Sequence, residues 1–411
     1  MTAPNLRMPP TPEPALPTTV TLSTTPLSQG TADRVIEWRR HLHANPELSF
    51  NETRTAQFVH DTLAGFGGLE LSRPTATSVV ARLVTGRSGP VLAMRADIDA
   101  LAIREETGLP FASANPGVMH ACGHDGHTAM MLGAAQELLA VRNELSGEVR
   151  FIFQHAEEIF PGGAEEMVQR GVMDGVARVI GAHLWAQLEV GKVGVPSGAV
   201  TAGPDTFWIT IRGKGGHAAI PQQTVDPIAV GAQVVTNLQH VVSRGVDPLD
   251  SAVLSITQFH AGTTHNVIPE TAELNGTVRS LDPALRTHLP AQMERIIRGV
   301  TEAHGATYEF TYERGYRPVV NDAAVTAEMV AVVEAVCGAD ALAPMRPVMV
   351  GEDFSAFQQK APGTFIFVGA ARPVDGAVHP HHHPKFDIDE RALGTGVRIF
   401  VEAARRYCAA R

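Results

Sequence analysis

The sequence predicts an α/β protein in two parts: a mostly parallel sheet that carries the chemistry, and a smaller α+β unit inserted into it. Three observations carry that expectation. Short apolar strands alternate with amphipathic helical stretches through the first half, which gives a parallel sheet with helices on both faces. Near Thr201 the order changes to strand-helix-strand-strand-helix-strand, the split arrangement of a ferredoxin-like domain. After Pro318 the earlier pattern returns, so the small unit reads as an insertion. The expected division is a disordered tail over 1–30, a main domain over 31–200 and 318–411, and the insertion over 201–317.

The tail is rich in Pro, Thr and Ser and has the shape of neither a secretory signal nor a membrane span. Thr31-Ala32-Asp33 reads as a helix cap ahead of Val35, Ile36, Trp38 and Leu42 at helical spacing. A second amphipathic helix follows over 53–63, then strands over 79–83 and 91–94, the latter running into Arg95-Ala96-Asp97-Ile98-Asp99. An apolar helix is expected over 127–141 and a strand over 149–153, ending at His155-Ala156-Glu157-Glu158. The next strand, 177–180, ends at His183. In the insertion, strands are expected over 207–211, 252–258, 273–278 and 307–312, with helices over 226–242 and 283–303. A helix over 323–337, a strand over 364–368 and a helix over 390–407 complete the main domain. The polar clusters thus fall at the carboxyl ends of strands, the edge at which open α/β sheets bind ligands.

Composition narrows the function classes. With 411 residues, 44% hydrophobic and 18% charged, the chain can bury a large core. A formal charge of −10 argues against a partner held by nucleic-acid phosphates. The 3 cysteines, Cys122, Cys337 and Cys408, are odd in number and far apart, which suits a reducing cytoplasm rather than a disulfide framework. No apolar run is long enough to cross a bilayer.

The most informative stretch is Met119-His120-Ala121-Cys122-Gly123-His124-Asp125-Gly126-His127, which gathers a thiol, imidazoles and a carboxylate. Cys122 and His124 flank a glycine and can face one ion, and a thiolate with an imidazole suits a transition metal such as zinc, cobalt, nickel or manganese. The paired Glu157 and Glu158 point different ways at a strand end, so one can bind metal while the other moves protons. Hydrolysis of an amide needs an activated water, a base and positive charge at the oxyanion, and a metal ion supplies the first and last together. His183 follows an apolar strand and is weak evidence alone. Asp97 is a candidate acceptor that fixes the tautomer of a ligand histidine. His379-Pro380-His381-His382-His383 offers four histidines among which composition does not choose. Gly213-Lys214-Gly215-Gly216-His217 turns sharply and leaves His217 exposed, without the spacing of a phosphate loop.

Taken in order, these motifs resemble the family of co-catalytic metallo-amidohydrolases that includes hippurate hydrolases, N-acyl-amino-acid amidohydrolases and auxin-conjugate hydrolases. The likeness runs from Arg39-Arg40-His41-Leu42-His43-Ala44-Asn45-Pro46-Glu47-Leu48 to His382-His383-Pro384-Lys385-Phe386. It includes Asn266-Val267-Ile268-Pro269 and Gly351-Glu352-Asp353-Phe354. The resemblance implies two divalent metal ions held by Cys122, His124, Glu158, His183 and His382, with Cys122 bridging. It implies Glu157 as base and then acid, and His217 as the oxyanion donor, reaching across a dimer interface. Asn266 and Arg279 would hold the substrate carboxylate or scissile carbonyl, a task for which the arginine fork is suited.

The chain departs from the family's usual pattern at His155, where proline is usual, at Gly351, where alanine or a small hydroxyl residue is usual, and at Gln222, often histidine. The reading is therefore a cytoplasmic metallo-amidohydrolase for N-acyl-L-amino acids, a homodimer or homotetramer through the inserted domain, with no nucleic-acid or membrane partner. Two alternatives accompany it: a dipeptidase or carboxypeptidase on the same core, and a metal-storing or ligand-binding protein.

Overall fold

Val91–Asp97, Glu148–Gln154 and Gly363–Gly369 are almost wholly buried, as strands covered on both faces must be. The computed structural model describes residues 27–374 and 376–410. Of the tail expected over 1–30, residues 1–26 lie outside the described residues, and the rest corrects the boundary. Helix α1 spans Gln29–Ala44, and Ser28 caps it by accepting from the Thr31 amide, so the cap lies ahead of Thr31-Ala32-Asp33. A serine hydroxyl satisfies an otherwise unpaired amide of the first turn.

Helix α2 (Thr53–Phe66) and strands β1 (Glu70–Ser72), β2 (Val79–Val84) and β3 (Val91–Asp97) follow. Next come α3 (His124–Ala140), β4 (Glu148–Gln154), α4 (Ala164–Gln169) and β5 (Arg178–Trp185). The smaller unit comprises β6 (Gly203–Arg212), α5 (Pro227–Gly245), β7 (Ala252–Ala261), β8 (Thr271–Ser280), α6 (Pro283–Ala303) and β9 (Thr307–Arg314). Helix α7 (Ala323–Cys337), the short α8 (Ser355–Gln358), β10 (Gly363–Gly369) and α9 (Arg391–Tyr407) then return to the main unit.

The large sheet has 8 strands in the order β1, β2, β4, β3, β5, β10, Val193–Gly194, Leu342–Ala343. Its centre is parallel: β4 with β3, β3 with β5, and β5 with β10. The β1–β2 and β2–β4 pairs on one side and the β10 pairing with Val193–Gly194 on the other are antiparallel, so both flanks depart from the parallel pattern. The 4-stranded sheet is antiparallel throughout in the order β7, β8, β6, β9. With one helix after its first strand and one after its third, it has the ferredoxin-like arrangement that the sequence predicts.

Two boundaries move in ways that matter to the site. Strand β5 continues through His183 to Trp185, where the sequence reading ended it at 180. Leu184 is fully buried in the core cluster while His183 turns to the opposite face, an alternation that a strand sustains across a polar residue. Helix α3 starts at His124 rather than at 127, because Gly123 at φ +95° makes the left-handed turn before it. His124, Asp125 and His127 therefore share a buried first turn.

Helices α1, α3, α7 and α9 contribute Val35, Met130, Val333 and Val397 to one core layer. Met167, Phe354 and Phe357 contribute to a layer with Ala93 and Ile152, and Phe207, Ile209 and Ile211 meet α5 and α6 in the small unit. Among the described residues no helix is long and apolar enough to cross a membrane. Gly133 is the contact between α3 and its neighbours: a Cβ there would lie 2.6 Å from Val35 Cγ2 and 2.9 Å from Val397 Cγ2. Gly133→Val is expected to destabilise the protein by about 1–3 kcal/mol through overpacking, seen as a lower denaturant midpoint in circular dichroism.

Candidate metal centre

The carboxyl ends of three neighbouring strands bring the donors together. Strand β3 ends at Asp97 and leads to Asp99; β4 leads to Glu157 and Glu158; β5 carries His183. Cys122 lies in the loop before α3, and His124 is that helix's first residue. His382, at φ +65°, comes from the loop between β10 and α9. Cys122 Sγ is 3.5 Å from His183 Nε2. Glu158 Oε1 is 3.3 Å from His382 Nε2 and 3.8 Å from His124 Nε2.

Hydrogen bonds decide which ring nitrogens keep a free lone pair. His183 Nδ1 donates to the Leu184 carbonyl at 2.8 Å, which leaves Nε2 facing Cys122. His124 Nδ1 lies 3.0 Å from the Asp99 carbonyl and 3.2 Å from its carboxylate, while Nε2 is buried without a hydrogen-bond partner. Glu158 Oε1 is likewise buried and without one. Unpartnered polar atoms that converge in a buried place are what a missing cation leaves. His381 also falls within donor range of Cys122 and His183. Its Nε2 accepts the Ala186 amide at 3.2 Å, and its Nδ1 is buried without a partner.

The electrostatics favour a bound cation. Burial, with the carboxylates of Glu158, Glu157 and Asp97, pushes the Cys122 thiol well above its ordinary value. Burial alone would lower His124, but Asp97 and Asp99 outweigh it and push the imidazole up to about 10. Burial and the neighbouring imidazoles of His127 and His381 hold His183 well below its ordinary value, neutral and able to ligate. A divalent ion replaces the protons on the thiol and on His124 and neutralises the carboxylates. The donor set therefore fits divalent metal.

Glu157 shares the His124–Glu158 group but also meets Glu352 and Asp353. Burial, then Glu352, Glu158 and Asp353, push its carboxyl well above the usual range, with Arg95 acting in the other direction. Arg95 is buried and pairs with Asp97 at 2.8 Å, Glu352 at 3.0 Å and Asp353 at 2.9 Å. A cavity of about 500 Å³ opens above, lined by Cys122, Glu157, Trp185, Arg279, Tyr316 and Phe367 among others.

The remaining sequence candidates divide. Asp97 binds His127 Nδ1 at 2.6 Å, and the acceptor on His124 Nδ1 is Asp99, not Asp97. Asp97 Oδ2 is 3.5 Å from His124 Nε2. Arg279 reaches the cavity and bonds Thr277 Oγ1; burial lowers its guanidinium's pKa. His217 and Asn266 are exposed and do not line that cavity; the His217–Val267 pairing places them together on a separate two-stranded ribbon. His155 sits beside Glu166 at 3.4 Å and under Phe50, away from the donors. Gln222 is exposed in a short turn. At Gly351 a Cβ would lie 2.8 Å from Pro204 Cγ, so the bare backbone lets the small sheet's first strand approach the cavity.

Sequence reasoning missed Asp99, the Arg95 hub and the support beneath the Cys122 loop. In that support Arg39 pairs with Asp125 at 2.9 Å and Asp387 at 2.7 Å, and His43 Nδ1 meets Asp125 at 2.8 Å. Their signal was present as Arg39 and His43 at i and i+4, one helix face, without a partner in view.

A thiol, imidazole and carboxylate donor set with a raised free carboxylate beside it, at the carboxyl edge of an α/β sheet, marks a metal-dependent hydrolase. Comparison with known proteins agrees: residues 93–406 match the model of Peptidase family M20/M25/M40, and the chain belongs to that family. It is 65% identical over 287 residues to an N-acyl-L-amino acid amidohydrolase of Geobacillus stearothermophilus, covering 70% of this chain and 78% of that one. It is 40% identical to thermostable carboxypeptidase 1 of Saccharolobus solfataricus, covering 89% and 93%. Among solved structures, the Bacillus subtilis YxeP protein, a dinuclear metal binding peptidase of the M20 family, superposes with a TM-score of 0.82 at 38% identity, covering 93% and 99%.

His382→Ala is expected to lower bound metal per chain, measured by plasma mass spectrometry after refilling with zinc. His381→Ala is expected to leave the stoichiometry intact. The reverse ranking would make His381 the ligand.

Proposed function

We propose that the protein hydrolyses the amide bond of N-acyl-L-amino acids, N-acetyl, N-benzoyl or similar, to a carboxylate and a free amino acid. The observation that carries this is Glu157: a buried carboxyl, raised by its neighbours, beside the convergent donors yet free of the paired roles of Glu158. Cys122, His124, Glu158, His183 and His382 would hold two divalent ions, zinc, manganese, cobalt or nickel. The ions, when bound, supply a lowered pKa for the attacking water and polarisation of the scissile carbonyl.

Glu157 takes the proton of the attacking water and returns it to the leaving nitrogen, a transfer that needs a carboxyl whose pKa lies above the ordinary range. Arg279, at the cavity wall, takes the substrate carboxylate through its two-toothed fork. His217 donates to the oxyanion and Asn266 assists it. Since both are exposed on a ribbon outside the cavity, this role requires a second protomer or closure of the small unit. The reading therefore takes residues 201–317 as an inserted lid and dimerisation domain, in a homodimer or homotetramer. Three free cysteines, one of them needed as a ligand, suit a reducing cytoplasm.

Carboxypeptidase or dipeptidase action on the same core is the second reading, favoured by Arg279, which suits a peptide's terminal carboxylate equally well. Amino-acid release from N-acetyl, N-benzoyl and dipeptide substrates, after chelation and metal refilling, separates the two. The expected result is release from acylated amino acids and a loss of about 10²–10⁴-fold in kcat for Glu157→Gln. Release from dipeptides alone would move the protein to the second reading. No release with any metal would overturn both.

A further inference from the structure

We propose that Glu52 and Tyr316 are positioning residues that hold the peptide groups before and after residues 156–157, Glu52 at the Ala156 amide and Tyr316 at the Glu157 carbonyl, and so fix the orientation of the Glu157 carboxyl. The inference rests on the reading of Glu157 as the base, and it concerns two groups to which nothing above gives a task.

The segment 156–158 needs holding. Ala156 has φ +50°, in the left-handed region that a residue with a Cβ rarely adopts and that persists only where the surroundings enforce it. Its amide donates to Glu52 Oε1 at 2.7 Å, and its carbonyl accepts from the Gly163 amide at 2.9 Å. The Glu157 carbonyl accepts from the Tyr316 hydroxyl at 2.9 Å. The Glu158 amide donates to Asp99 Oδ2 at 3.0 Å.

Three side chains from distant parts of the chain thus converge on the peptide groups that flank residues 156–157, Glu52 on the one before and Tyr316 and Asp99 on the one after. Glu52 immediately precedes α2, Asp99 follows β3, and Tyr316 follows β9, on the segment leaving the small sheet. Glu52 is fully buried and is not part of the cavity wall. A carboxyl group loses solvation when buried, and Glu52 has Oε2 without any hydrogen-bond partner. Its placement is therefore costly for a residue that only fills space. The function that offsets the cost is to hold the Ala156 amide, and with it the unusual turn that aims Glu157. Tyr316 works from the other side and connects the base's backbone to the segment through which the small unit is attached. Asp99 also orients His124, so its variants would mix two effects; Glu52 and Tyr316 are the clean probes.

The test is a double-mutant cycle on the metal-refilled, full-length enzyme with the N-acyl amino acid that it cleaves best. Glu52→Met keeps the bulk and removes the acceptor; Tyr316→Phe removes only the hydroxyl. Each is expected to lower kcat about tenfold or more per metal-loaded site, because small misplacements of a catalytic group are costly, with KM changed little. Glu52→Gln keeps an acceptor oxygen and is expected to recover most of the rate. Glu52→Met with Tyr316→Phe is expected to lose clearly less than the product of the single effects, since both act through the one short segment that carries Glu157. Full kcat in Glu52→Met, or strict multiplicativity of the two effects with no recovery in Glu52→Gln, would overturn the inference. If Glu52→Met does not fold, Tyr316→Phe and Glu52→Gln decide: an unchanged kcat in Tyr316→Phe, or a Glu52→Gln rate far below the starting enzyme's, overturns it. Glu157→Gln run in parallel separates the two levels. An active Glu157→Gln would refute the base assignment itself, whereas an inactive one beside a fully active Glu52→Met would refute only the clamp.

Discussion

Buried negative charge governs this structure. Asp97, Asp99 and Glu157 follow or end adjacent strands, Glu352 and Asp353 precede the short helix Ser355–Gln358, and all five are removed from water with Glu158 beside them. Arg95 answers part of that charge through Asp97, Glu352 and Asp353. Isolated buried carboxylates are strongly unfavourable, so the rest must be protonated or meet further cations. Cys122, pushed up by burial and neighbouring carboxylates, and His124, pushed up against burial by Asp97 and Asp99, would give up their protons to a divalent ion bound there.

That constraint explains the division of labour between the adjacent glutamates. Glu158 faces His124 and His382 and belongs to the donor set. Glu157 is buried beside Glu352 and Asp353, and burial together with their charge pushes its carboxyl well above the usual carboxylate range, the direction that lets it carry a proton. The surrounding scaffold keeps each in its place: Arg39 and His43 hold Asp125 under the metal loop, and Asp99 sets the ring of His124. Loops at the ends of α3, β4 and β10 supply Cys122, Glu158 and His382, α3 and β5 supply His124 and His183, and the small unit and the segment leaving it bring Arg279 and Tyr316 to the cavity above them.

Much of this was legible in the sequence because the chemistry is written in residue types. A cysteine and a histidine across a glycine, and two glutamates at a strand end, announce a metal and a base wherever the chain folds. The bounds of α7, Ala323–Cys337, and of α6, Pro283–Ala303, followed from their apolar spacing and, for α6, from Pro283 in its first turn. What stayed hidden depends on partners far along the chain. Asp97 and Asp99 are two residues apart, and only the register against α3 assigns one to His127 and the other to His124. Arg39 and Asp125 are separated by 86 positions, so their pairing leaves no local pattern. The extension of β5 through His183 was masked by a polar residue that a strand accommodates by alternation. His217 and Asn266 lie on a ribbon whose relation to the site a single chain leaves open.

The central claim is that Cys122, His124, Glu158, His183 and His382 together would hold divalent metal beside Glu157. Anomalous diffraction from zinc-loaded crystals, collected on both sides of the zinc edge, tests it most directly. The account predicts metal density ligated by Cys122, His124, Glu158, His183 and His382, with Glu157 beside it and His381 outside the ligand set. Metal density elsewhere, or ligated by His381 in place of His382, would contradict it.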